Sequence, residues 1–156
     1  MNQAAYRLEQ TKLTDSKVFR DAVHNYIHVD HPLILDLINS HEMQRLRRIK
    51  QLGGTHQVYQ SAEHSRFCHS LGVYFIARKM IFNSAIGAYL NDYDKLTVMC
   101  AALLHDIGHG PFSHCFEDAF DLNHEAYTIK IINGKTEVHD LLEKFHHGFS
   151  HRVSSV

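Results

Sequence analysis

Residues 103–114 read Leu103-Leu104-His105-Asp106-Ile107-Gly108-His109-Gly110-Pro111-Phe112-Ser113-His114, an apolar run that ends in three imidazoles, one carboxylate and two glycines. This stretch restricts the folds open to the chain. The apolar residues from Val98 to Leu104 need an interior. A buried imidazole or carboxylate is costly unless it finds a partner. The polar groups must therefore meet others inside the domain, and the glycines let the backbone turn there without a Cβ clash. Imidazole and carboxylate together suit a divalent transition metal.

The surrounding sequence is mostly helical in pattern. Residues 17–30 mix β-branched and aromatic side chains and predict an extended arm or short hairpin. Pro32 suits the first turn of a helix through Ile38, and a second helix is expected from about Glu42 to Gln51, stopped by Gly53-Gly54. Residues 55–64 read as loop. Ser65 is placed to cap a long helix carrying Phe67, Leu71 and Phe75 on one side and Val73, Ala77 and Met80 on another. Leu96–Leu104 is apolar almost all round, which predicts a central buried helix ended by Gly108 and Gly110. Pro111 then starts a helix reaching Phe120, Asn123 caps one that stops at Asn133-Gly134, and Thr136 caps the last, which runs to about His147. The sum is an all-α, bundle-like domain with one short extended element. With 156 residues and no repeat or Pro/Gly linker, one domain over 17–156 is expected, preceded by an N-terminal segment, 1–16.

Composition narrows the function classes. Lys+Arg 16 against Asp+Glu 17 leaves a net charge of -1, so no long-range field draws the chain to nucleic acid. The basic turn Arg45, Arg47, Arg48, Lys50 accordingly reads as a solvated face. Fifteen histidines favour metal or acid–base chemistry. Three cysteines without CxxC spacing (Cys68, Cys100, Cys115) make no disulfide framework and fit a reducing cytoplasm. Met1 to Asp15 is polar, and the longest apolar run falls far short of the ~20 residues that span a bilayer. A cytoplasmic protein with no membrane partner is expected.

His105 and Asp106 diverge by ~100° on a helix, so both reach one ion only near the helix end. His69, alone, reads as an ordinary helix histidine; beside a second helix supplying His-Asp it becomes a candidate ligand. Arg66, one turn earlier, offers a fork of donors suited to phosphate. His114 and Glu117 are three apart and share a helix face, an arrangement equally typical of a surface ion pair and of acid–base work. His124 is near enough in sequence to face Glu117 across a short corner. A zinc site from His64, Cys68 and His69 competes, although Cys68 reads better as a packed thiol.

Taken in order, His69, His105-Asp106 and Gly108 through His114 resemble the HD-domain phosphohydrolases, and more narrowly their deoxynucleoside triphosphate triphosphohydrolase branch. The similarity runs from Lys17 to about His124. It includes Lys17-Val18-Phe19-Arg20-Asp21, Gln44 through Gly54, and His64 through Val73. The resemblance implies an HD-domain helical bundle in which His69, His105 and Asp106 hold one divalent metal ion (Mn, Fe, Zn, Ni, Co or Mg). It implies that Gln51 and Leu52 contact the deoxyribose and that Arg66, His109 and His114 hold the phosphates. It further implies that His124 with Glu117 forms the catalytic pair, with His109 and His114 beside it. The implied reaction converts a dNTP to a deoxynucleoside and inorganic triphosphate. It also implies a dimer or tetramer that binds an activating nucleotide between subunits through Lys17, Val18, Gln44 and Arg47. Asn39 stands where the family reads guanine with an aspartate, and Asn offers one carbonyl acceptor in place of a carboxylate's two.

The family closes its metal site with an aspartate from a later helix, and no matching segment occurs before Val156. Asp140 after His139 lies on an ordinary amphipathic pattern and reads as a decoy. The expectation is the N-terminal part of a catalytic core, incomplete at its C-terminal end, or a three-ligand site. Two other readings stand beside it: an HD phosphohydrolase for another nucleotide or a phosphomonoester, and a non-catalytic nucleotide-binding fragment.

Overall fold

In the computed structural model, which describes residues 5–156, the extended segment forms an antiparallel hairpin, β1 (Lys17–Asp21) and β2 (Asn25–Val29), with Phe19 opposite Ile27. Ile27 and Val29 are fully buried while Tyr26 and His28 face out, the period of two that a half-buried strand requires. Asp21 turns the chain: its Oδ1 accepts from the backbone N–H groups of Val23 (2.9 Å) and His24 (2.8 Å). The first four residues of the expected N-terminal segment lie outside the described ones. Tyr6 and Leu8, further along it, sit in the same apolar core as the helices.

Eight α-helices follow: α1 (Pro32–Asn39), α2 (His41–Arg45), α3 (Arg66–Asn83), α4 (Asp92–Leu104), α5 (His114–Phe120), α6 (His124–Asn133), α7 (Glu137–Phe145) and α8 (Phe149–Ser154). Pro32 begins α1 as its spacing predicts, and Ser65, Asn123 and Thr136 each cap the helix expected of them by accepting a backbone N–H. The class is the expected one, an all-helical bundle with a hairpin. Helices α3 and α4 form its central pair, and no helix among the described residues is long and apolar enough to cross a membrane.

Several boundaries differ from expectation. The helix expected to Gln51 stops at Arg45 and passes through one 3-10 turn, Leu46–Arg48. Its backbone then enters an isolated antiparallel bridge, Lys50 opposite Ser65: Ile49 O accepts from Arg66 N (2.8 Å) and Gln51 N donates to His64 O (3.3 Å). A 3-10 helix, Gly53–Gln57, takes up the expected stop and the start of the expected loop. Helix α4 starts at Asp92, four residues before Leu96, because Asn91 Oδ1 accepts from Asp94 N (2.9 Å) and two aspartates occupy the first turn. Helix α5 begins at His114 instead of Pro111, since Phe112 and Ser113 take left-handed φ values of 61° and 53°. Helix α7 ends at Phe145, two residues early, and α8 was not expected at all. Its cap comes from the preceding helix, where Glu143 accepts from the N–H groups of Gly148 (2.8 Å) and Ser150 (3.2 Å).

Candidate functional site

The end of α4 and the first turn of α3 bring three donor side chains to one point. Helix α3 supplies His69, and the turn that directly follows α4 supplies His105 and Asp106. His105 Nε2 lies 3.2 Å from His69 Nε2 and 3.3 Å from Asp106 Oδ1, and His69 Nε2 lies 3.5 Å from Asp106 Oδ2. Two donors bound to one ion at about 2.1 Å stand roughly 3.0–3.4 Å apart at ordinary coordination angles, so this set fits a single transition-metal ion. His105 Nδ1 is 2.9 Å from the carbonyl of Ala102, an acceptor only, which puts the ring proton on Nδ1 and the lone pair on Nε2. Burial pushes the His69 pKa down, against the pull of Asp106, which keeps this imidazole neutral and able to ligate.

Asp106 is buried and would be costly alone. Burial pushes its pKa up, but the His109 hydrogen bond and the charges of His105 and Arg66 outweigh that and hold it below the carboxylate range. Arg66 makes three hydrogen bonds within the protein: its Nη1 donates to Asp106 Oδ2, its Nε to Ser113 Oγ at 2.9 Å and its Nη2 to Gln51 O at 3.4 Å. Ser113 in turn donates to the carbonyls of Lys50 or Gln51, both at 3.1 Å.

His109 links this triad to a second cluster. Its Nε2 lies 3.5 Å from Asp106 Oδ1 and its Nδ1 lies 2.8 Å from Glu117 Oε1. Glu117 Oε2 also receives His124 Nδ1 at 3.1 Å and His114 Nδ1 at 3.2 Å. The His109 and His124 rings stack, with centroids 3.8 Å apart. Burial raises the Glu117 pKa, yet the hydrogen bonds from His124 and His114 win and lower it. Among the described residues, these two groups, His69/His105/Asp106 and His109/His114/Glu117/His124, are the ones able to hold a metal ion.

The corner that presents both clusters depends on close packing. A Cβ on Gly108 would stand 2.2 Å from His124 O and 2.4 Å from Thr128 N, so only glycine lets α6 approach. Thr128 Oγ1 accepts from Gly108 N (3.0 Å) and donates to His105 O (3.1 Å).

The HD domain model matches residues 66–152, the span that holds both clusters. The chain belongs to the HD-domain family. It is 53% identical over 146 residues to the uncharacterized protein YwfO of Bacillus subtilis (strain 168), covering 93% of this chain and 34% of that protein. It is 38% identical over 154 residues to deoxynucleoside triphosphate triphosphohydrolase SAMHD1 of Danio rerio, covering 91% of this chain and 25% of that one. The human protein of that name is 43% identical over 119 residues, or 73% of this chain and 18% of its own length. The chain thus spans about a third or less of the length of these relatives.

Gln51 borders a cleft of about 740 Å³ between the hairpin turn and α3, which also reaches His64 and His69. Leu52 is exposed beside it. Lys17, Val18, Asn39 and Arg47 are exposed and Gln44 half-buried; Arg47 Nε donates to Gln44 Oε1 at 2.7 Å and its guanidinium covers the Phe67 ring. His139 Nδ1 is spent on the Ile132 carbonyl at 3.1 Å, and Asp140 is exposed. Two expectations need correction. Cys68 is exposed, not packed, and it joins no ligand group with His64 and His69. Arg45 is not merely a solvated cation: its guanidinium holds the carbonyls of Ile107 (2.6 Å) and His109 (2.9 Å), clamping the corner. The supporting roles of Arg45, Ser113 and Thr128 leave no local signal, because each acts on backbone or side chains 20 or more residues away.

Proposed function

We propose that this chain carries the catalytic part of a metal-dependent HD phosphohydrolase, one that hydrolyses dNTPs to deoxynucleoside and inorganic triphosphate. The observation that supports it best is the run of close charge contacts Arg66–Asp106–His109–Glu117–His124, which joins a metal-competent triad to a histidine–carboxylate pair. The relatives named for that reaction support the substrate class.

His69, His105 and Asp106 would hold one divalent ion, which when bound polarises a phosphoryl oxygen and activates water. Glu117 fixes His124 through Nδ1 and leaves Nε2 free to pass a proton. His109 and His114 lie on either side of the same carboxylate and would offset phosphate charge. Arg66 acts on the phosphates in this reading as well as on Asp106. Gln51 and Leu52 would meet the sugar. Lys17, Val18, Asn39, Gln44 and Arg47 would receive an activating nucleotide between subunits of a dimer or tetramer in the cytoplasm. The domain over 17–156 is then the N-terminal part of a longer catalytic core.

Incubation with each dNTP and Mn²⁺, with products separated by ion exchange, tests the reading. Deoxynucleoside plus triphosphate is expected, with Glu117→Gln slowing turnover by ~10²-fold or more. Release of orthophosphate alone would shift the assignment to another phosphohydrolase. Nucleotide binding without turnover would leave a binding fragment.

A further inference from the structure

The cluster around Glu117 is poorly explained as a set of hydrogen bonds. His109 is 1% exposed, and its Nδ1 lies 2.8 Å from Glu117 Oε1, but the two are misaligned for a hydrogen bond and neither atom has another partner. Buried polar atoms are rarely left so. The same geometry is ordinary for ligands of one ion. Three Nδ1 atoms converge on one carboxylate at 2.8, 3.1 and 3.2 Å, and all four donors lie within 4.8 Å of one another. His109 Nε2 faces Asp106 Oδ1 at 3.5 Å, an acceptor for its N–H, and that tautomer leaves the Nδ1 lone pair aimed at the cluster.

We propose that His109, His114, Glu117 and His124 form a second metal site, selective for zinc and separate from the His69/His105/Asp106 triad. Three imidazoles and one carboxylate suit a tetrahedral zinc ion, whereas magnesium and calcium demand more oxygen. His114, with its side chain 68% exposed, gives the ion a route in from solvent. Zinc here takes His124 Nδ1 and the Glu117 carboxylate, the two groups whose hydrogen bond orients His124 in the proposed reaction. It therefore inhibits; that consequence alone rests on the dNTPase reading, while the binding does not.

The test counts zinc on the 156-residue chain without substrate. Metal-stripped protein is loaded with excess Zn²⁺, desalted and measured by atomic emission. Two ions per chain are expected for wild type. One is expected for His69→Ala/His105→Ala, and one for His114→Ala/His124→Ala. Because His114 is exposed, His114→Ala alone keeps the packing and decides the matter if the double variant fails to fold by circular dichroism. It should weaken the second zinc by about tenfold or more in competition with a chromophoric chelator. A His69→Ala/His105→Ala chain that holds no zinc overturns the site, as does a second zinc that His114→Ala holds with unchanged affinity. Neither result bears on triphosphate release.

Discussion

Arg66 donates from Nη1 to Asp106 Oδ2 with both side chains nearly sealed from solvent, 4% and 7% exposed. Asp106 is itself a candidate metal ligand, so the cation that neutralises it also aims it. Arg66→Ala leaves that carboxylate buried without its counter-charge. A loss of about 3–5 kcal/mol in unfolding free energy is expected from urea titration. Arg66→Lys restores the charge but not the bonds to Ser113 and Gln51, and should fall between.

Gly108→Ala forces α6 away from the corner, because the new methyl would overlap His124 O and Thr128 N. A destabilisation of about 1–3 kcal/mol is expected in thermal melts. Since His124 opens α6, the same change should cost more activity than stability. Unaltered kinetics would show that the corner tolerates the shift.

His31 is buried against the Tyr6 hydroxyl, 2.6 Å from its Nε2, and burial pushes its pKa down to about 4 from 6.5. The unfolded chain takes up a proton between those values while the folded chain does not. Stability is therefore fully present above pH 6.5 and falls as pH drops toward 4. His31→Phe should flatten this window in urea titrations run at a series of pH values. An unchanged pH slope would assign the loss to other groups.

Glu143 caps α8 from α7, and although burial opposes it, hydrogen bonds from Gly148 and Ser150 lower its pKa from 4.5 to about 2. Its contribution is present above pH 4.5 and is lost as pH falls toward 2. Glu143→Ala should cost about 1 kcal/mol at neutral pH and far less at acid pH. Equal cost at both would show that packing, not the cap, is at stake.

A divalent ion held only by the folded chain should raise its melting temperature. At about 100 times its dissociation constant, the gain is about 2.7 kcal/mol. Chelator should reverse the rise, and His105→Ala should reduce it. A melting temperature indifferent to Mn²⁺ would argue against the triad.

Much of this molecule was legible in its sequence because the signals are local. Pro32, Ser65, Asn123 and Thr136 announce helix starts through bonds made within three residues. The alternation at Ile27 and Val29 gives the hairpin, and the order of His69, His105-Asp106 and the glycine corner gives the family. Where a residue's partner is distant, the signal fails. Helix α8 was invisible because its cap belongs to α7, and α2 is cut short by pairing with the segment before α3.

The sequence by itself determined the fold class and the candidate chemical side chains, since those follow from local periodicity, caps and residue type. Only the tertiary structure decided how they connect. It turned Arg66 onto Asp106, made Arg45 and Thr128 supports of the corner, and set His109 between two carboxylates. The physical reason is that a buried charge takes whichever partner the packing brings within reach, and packing is a property of the whole chain.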